Sequence, residues 1–144
     1  MRDPDDIADL PSPYYPHPAF GLLHLPRFIA KIRLHLKDEL PKGYQRNFTR
    51  GFDGFLCLHL GVDPKEVIEI VKTSASDQEI TERLKAIFPE DVQPHIWNRK
   101  LVHMGMSEEG KKALQQSRDH MGVSDRMDIM SFADMIEYDE GRLD

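Results

Sequence analysis

Leu25-Pro-Arg-Phe-Ile-Ala-Lys-Ile-Arg-Leu-His-Leu36 is the stretch from which the fold is read. Pro26 suits a first helical turn, where its missing N–H would have no partner anyway. Leu25, Phe28, Ile29, Ile32 and Leu36 recur at i, i+3, i+4, i+7 and i+11 and make one narrow apolar stripe. Arg27 and Lys31 sit one turn apart on another face, His35 lies beside Lys31, and Arg33 takes the opposite flank. Pro41 ends the helix and Gly43 permits a turn.

Further helices follow by the same rules. Phe52, Phe55, Leu56, His59 and Leu60 form a stripe after a loop that ends near Asp53, and Gly61 stops it. Asp63-Pro-Lys-Glu66 supplies an N-cap, an N1 proline and an N3 glutamate ahead of Val67, Ile68, Ile70 and Val71. Ser76-Asp-Gln-Glu79 is a capping box that opens a helix with Ile80, Leu84, Ile87 and Phe88, ended by Pro89. A helix is expected from about Asp91 through Val92, Ile96, Trp97, Leu101 and Met104. Another is capped by Ser107, with acids first and lysines after. Residues 129 to 138 alternate too irregularly to separate a short helix from an extended strap.

These elements define a mainly α chain: a compact bundle of about five to six helices in a single domain spanning 1–144. Residues 1–24 contain Pro4, Pro11, Pro13, Pro16 and Pro18, which deny a helix. Their Tyr14, Tyr15, Phe20, Leu22 and Leu23 are too apolar for a solvated tail, so an extended arm packed on the body is expected. The body runs from 25 to 122, and an irregular acidic strap from 123 to 144.

Composition narrows the function. With 40% hydrophobic and 31% charged residues the chain is that of a globular protein. No apolar run approaches the roughly 20 residues of a membrane helix, and Met1–Asp6 lacks the apolar core of a signal peptide. A single cysteine, Cys57, rules out an internal disulfide and fits a reducing cytoplasm. The net charge of −6 weighs against nucleic acid. Between Arg27 and Arg50, however, seven cations face only Asp38 and Glu39, a local +5 against −11 elsewhere.

Catalytic signatures are wanting. Cys57 and His59, two apart on a helix, point away from each other. The seven histidines (His17, His24, His35, His59, His95, His103, His120) include no i, i+4 metal pair. Gly51-Phe-Asp-Gly54 lacks the lysine and hydroxyl of a phosphate loop. No catalytic residue, metal ligand or cofactor is therefore assigned. What remains is a basic-aromatic set, Arg27, Lys31, Arg33, Tyr44, Arg46 and Arg50, whose forked donors and ring suit an anion. The commoner use of such groups is internal, with Arg27 or Arg33 paired to Asp139 or Glu140.

The same residues carry a resemblance. Leu25-Pro-Arg-Phe-Ile-Ala-Lys-Ile-Arg33, Gly43-Tyr44, Phe55-Leu56 with Leu60-Gly-Val-Asp63, Ser76-Asp-Gln-Glu79 and the tail Asp139-Glu-Gly-Arg142 are together similar to the domain of unknown function family 5069. The similarity spans about residues 10 to 143. Arg27, Lys31, Arg33, Tyr44, Asp63 and Asp77 match that family's pattern, whereas its aspartate before the lysine is Ala30 here. The resemblance implies no named activity. The sequence therefore favours a non-enzymatic helical domain that binds a protein partner or a small anionic ligand at the basic-aromatic face. The alternative is an enzyme or metal-dependent protein using a cleft between the first helix and the 43–54 loop. Oligomeric state stays open.

Overall fold

The computed structural model describes residues 7–144, so the first six residues of the expected arm lie outside the described residues. Among the described residues there are eight helices: α1 (Leu25–Leu36), α2 (Lys42–Gln45), α3 (Gly51–Leu60), α4 (Pro64–Thr73), α5 (Asp77–Ile87), α6 (Pro94–His103), α7 (Glu108–His120) and α8 (Phe132–Asp139). Among the described residues there is no strand, only an isolated antiparallel bridge between Pro16 and Leu23.

The count of five to six helices is thus corrected upward by two short elements. One turn of helix, α2, interrupts the stretch after Pro41. The C-terminal strap contains α8, because the Ser131 hydroxyl accepts from Asp134 N and starts a helix that sequence alternation had hidden. The sixth helix begins at Pro94 rather than near Asp91, whose carboxylate instead accepts from Gln93 N in a turn. Elsewhere the caps act as expected. Asp63 accepts from Lys65 N, Ser76 from Glu79 N and Ser107 from Gly110 N. Glu79 reaches back to Ala75 N, one residue beyond the usual capping-box target.

Packing runs as a relay: α5 on α4, α4 on α1, α1 on α3, α3 on α6, α6 on α8 and α8 on α7. The main core unites Leu22, Leu25, Phe28, Ile32, Leu56, Val67, Leu84, Trp97 and Leu101, all at most 1% exposed. Helix α1 departs from a surface helix in two ways. Leu36, at the far end of its stripe, is exposed, while Arg27 and Lys31 on the second face are buried. That second face meets α3 and the C-terminal segment rather than water.

The arm is held by α6. Trp97 Nε1 donates to Leu23 O at 2.9 Å, Asn98 Oδ1 accepts from Leu23 N at 2.9 Å, and Asn98 Nδ2 donates to Gly21 O at 2.9 Å. This clamp delivers the chain into α1 with His24 at its N-cap position. It also makes Trp97 more than filler. Trp97→Phe leaves Leu23 O without its partner and a void beside it, and is expected to cost about 2–3 kcal/mol in urea unfolding followed by circular dichroism. A loss below about 0.5 kcal/mol would show that the arm is not held this way.

Candidate functional site

Two buried carboxylates, Asp53 and Glu140, organise the face of α1 that carries Arg27 and Lys31. Asp53 lies in the first turn of α3 and is fully buried. Its Oδ1 is 2.6 Å from His24 Nε2, and its Oδ2 accepts from Lys31 Nζ at 2.7 Å and from Thr49 N at 3.0 Å. Glu140, just past α8, receives both arms of the Arg27 guanidinium at 2.8 and 2.7 Å and the Tyr44 hydroxyl at 2.9 Å. Arg142 Nη1 adds a contact at 2.8 Å. Tyr44 Oη in turn accepts from Ala8 N at 3.1 Å, which ties the arm to the same cluster.

Charge states follow from these partners. Burial alone would raise the Asp53 carboxyl, but hydrogen bonds from His24 and Lys31 outweigh it and hold Asp53 below the usual carboxylate range. Glu140 is lowered likewise, with Arg27 and Tyr44 overcoming its burial. Burial lowers both His24 and Lys31, and the Asp53 carboxylate offsets only part of that. An ionised Asp53 can only accept, so His24 Nε2 carries the proton. The ring is then neutral, with the lone pair on Nδ1. That Nδ1 is buried and has no partner.

Backbone strain gathers at the same carboxylate. His24 and Thr49 both have left-handed φ, 73° and 65°. Histidine is one of the side chains more often found in this region, whereas a β-branched threonine there is a genuine outlier. Both donate to Asp53, one through its side chain and one through its backbone. His24 shares its helix-end position with Gln93, both being N-caps with positive φ, and Asp38, the remaining described non-glycine residue of this kind, follows the end of α1.

Above this network opens a pocket of about 590 Å³. His24, Arg27, Lys31 and Tyr44 lie on one side, and Asn47, Arg50 and Gly51 on another. Its apolar walls come from Phe52, Phe55, Met104, Phe132, Met135 and Ile136. At the rim Gly105, φ 104°, lets its backbone approach α8. A Cβ there would stand 3.2 Å from Phe132 N, whose N–H donates to Met104 O.

Of the six basic-aromatic residues, the structure gathers Arg27, Lys31, Tyr44 and Arg50 around this pocket. Arg33 is not with them. It lies about 120° around α1 from Arg27, at 100° per residue, and pairs with the exposed Asp77. Arg46 is exposed and outside the lining. Within the lining, Arg27 and Lys31 are already neutralised by Glu140 and Asp53. The expected pairing of the basic row with the acidic tail is therefore realised for Arg27 and not for Arg33. Among the described residues, Arg50 alone of the lining arginines and lysines has no side-chain partner. His24 and Asp53 were not singled out from the sequence.

The remaining nucleophile and ligand candidates fall away. The Cys57 thiol is buried and pushed up to about 12 by burial, so it is not a thiolate near neutrality. Among the described residues no group of three or more His, Cys, Asp or Glu could hold a metal ion. Among the described residues no helix is long and apolar enough to cross a membrane.

The fold and site define a mainly helical protein built round buried ion pairs, with a pocket at their edge. Comparison with family models matches residues 16–142 to the domain of unknown function DUF5069, and the chain belongs to that family. No curated protein matches it.

Asp53→Asn should cost about 3–5 kcal/mol in chemical denaturation, because it strands Lys31 and His24 in the interior. Asp77→Asn, on an exposed pair, should cost under about 1 kcal/mol. Equal losses would contradict the burial-based distinction. The pH dependence has one sign. His24, Asp53 and Glu140 all have lowered folded values, so each holds fewer protons folded than unfolded as pH drops. The His24 share is complete above its ordinary 6.5 and goes as pH falls below it; the carboxylate shares go below their ordinary 3.8 and 4.5. The melting temperature should therefore fall steadily from about pH 7 to pH 4; a rise toward acid would refute the assignment.

Proposed function

We propose that this domain binds a small amphipathic monoanion in the pocket between α1, the 43–54 segment and α8. The observation that carries this reading is Arg50, which alone of the lining arginines and lysines has no side-chain partner among the described residues, while Asp139, a further carboxylate of the lining, has a partner of its own. The pocket is concave and of ligand size, its walls are apolar, and its buried ions are mutually satisfied. Arg50 remains at the edge as a cation with no side-chain partner. Such a lining suits one carboxylate or similar single anion on an apolar body. It does not suit a polyanion such as nucleic acid, which wants many unpaired cations.

The other readings have less support. A protein partner rests on single exposed apolar residues such as Leu58 and Met127, which are ordinary on a folded surface. The enzyme alternative shares this cleft and draws its support from the His24–Asp53 pair. The single cysteine, buried and protonated, supports a cytoplasmic setting.

A panel of straight-chain and aromatic monocarboxylates tests the reading by thermal shift and calorimetry. At least one should raise the melting temperature by several degrees, as about 2.7 kcal/mol is gained at a hundred times Kd. Arg50→Gln and the pocket-filling Ile136→Trp should each weaken that ligand about tenfold or more. An unresponsive panel would sink the proposal.

A further inference from the structure

One polar atom of a pocket-lining residue is left unused by the fold. His24 lines the pocket, its Nε2 is committed to Asp53 at 2.6 Å, and its Nδ1 has no partner. A buried acceptor left unsatisfied costs free energy, and native structures hold few of them. This one is also held on strained backbone by a clamp from α6 and a carboxylate from α3, an arrangement that fixes the ring's place and tautomer. Strain that the surroundings over-determine clusters where a group must be pre-positioned.

We propose that His24 Nδ1 is the acceptor for a hydroxyl group of the bound ligand. The ligand class is then a hydroxy acid with an apolar body, its carboxylate toward Arg50 and its O–H at His24. This rests on the reading of the pocket as a ligand site. Nδ1 is closed to water in the ligand-free chain, and the donor reaches it by displacing a neighbour. Phe52 is the group suited to move. Its ring stands edge-on to the imidazole with centroids 5.4 Å apart, is only half-buried, and lines the same pocket.

The test compares para-hydroxybenzoate, para-hydroxyphenylacetate and para-hydroxyphenylpropanoate with their parents lacking the hydroxyl, by calorimetry on the full chain near neutral pH. At least one hydroxy acid should bind about tenfold more tightly than its parent, the gain of one net hydrogen bond. His24→Gln, which keeps an N–H for Asp53 but no ring nitrogen to accept, should bring the ratio of hydroxy-acid to parent affinity down to about one, read as a ratio within the variant whatever its affinity for the parent acid. Nitrogen NMR of the histidine-labelled native protein gives a readout that needs no variant. The Nδ1 signal should start in the range of a ring nitrogen with a free lone pair and shift on adding the hydroxy acid, but not its parent. Binding of both series alike with an unmoved Nδ1 signal would overturn the role of His24 and leave the pocket standing. Failure of every acid in both series would overturn both.

Discussion

The carboxylate of Asp53 is the constraint on which the rest of the molecule depends. A fully buried carboxylate is costly unless its charge is met by partners, and Asp53 meets it with three donors from three segments. His24 ends the arm, Lys31 is in the middle of α1, and Thr49 precedes α3. Fixing these three at once sets the place of the arm, the rotation of α1 and the approach of the 43–54 segment. The left-handed backbone at His24 and Thr49 is the local cost of that convergence, on the order of 1–2 kcal/mol per residue. Three charge-assisted bonds of about 1.5–3 kcal/mol each can cover it.

Glu140 does a parallel task for the chain's two ends. Arg27, Tyr44 and Arg142 converge on it, Arg27 also reaches Pro11 O, and Tyr44 holds Ala8 N. Tyr14 adds a separate tie to Asp134 at 2.6 Å, where burial and that carboxylate push its hydroxyl up to about 12. The arm and the C-terminal helix are thus joined through partly buried polar contacts, whereas the central helices are joined mainly by apolar packing, with the Lys31–Asp53 pair between α1 and α3. Buried ion pairs add little net stability over apolar groups of the same shape, but a wrong pairing is heavily penalised. They decide which segments meet more than how strongly.

How much of this was legible follows from the range of each signal. Caps and stripes are local, so α1, α4, α5 and α7 could be placed from their own residues. The eighth helix was hidden because its i, i+3, i+4 set, Phe132, Met135 and Ile136, is short and crowded by the neighbouring Ile129, Met130 and Ala133, which blur its period. The site was half legible. Arg27, Lys31 and Tyr44 were recognisable as a set because α1 carries two of them one turn apart. The Asp53 partnership spans 22 and 29 residues, and no spacing rule reaches that far. Position on the helix wheel does not foretell the burial: at 100° per residue Arg33 lies closer to the apolar stripe than Arg27 does, yet Arg33 pairs on the surface with Asp77 while Arg27 and Lys31 are buried against their carboxylates.

That burial changes what a basic row means. Seven cations between Arg27 and Arg50 suggest a surface that attracts anions, yet the two nearest the pocket floor are consumed by Asp53 and Glu140. A cation held bidentate by a buried carboxylate has little left to offer a ligand, because any new anion must compete with a partner that would itself be stranded. Local charge counted along the chain therefore overstates the recognition power of the face. What the fold leaves for a ligand is smaller and more specific. It consists of one arginine at the rim, apolar walls, and an imidazole whose orientation is set by the same carboxylate that sets the fold.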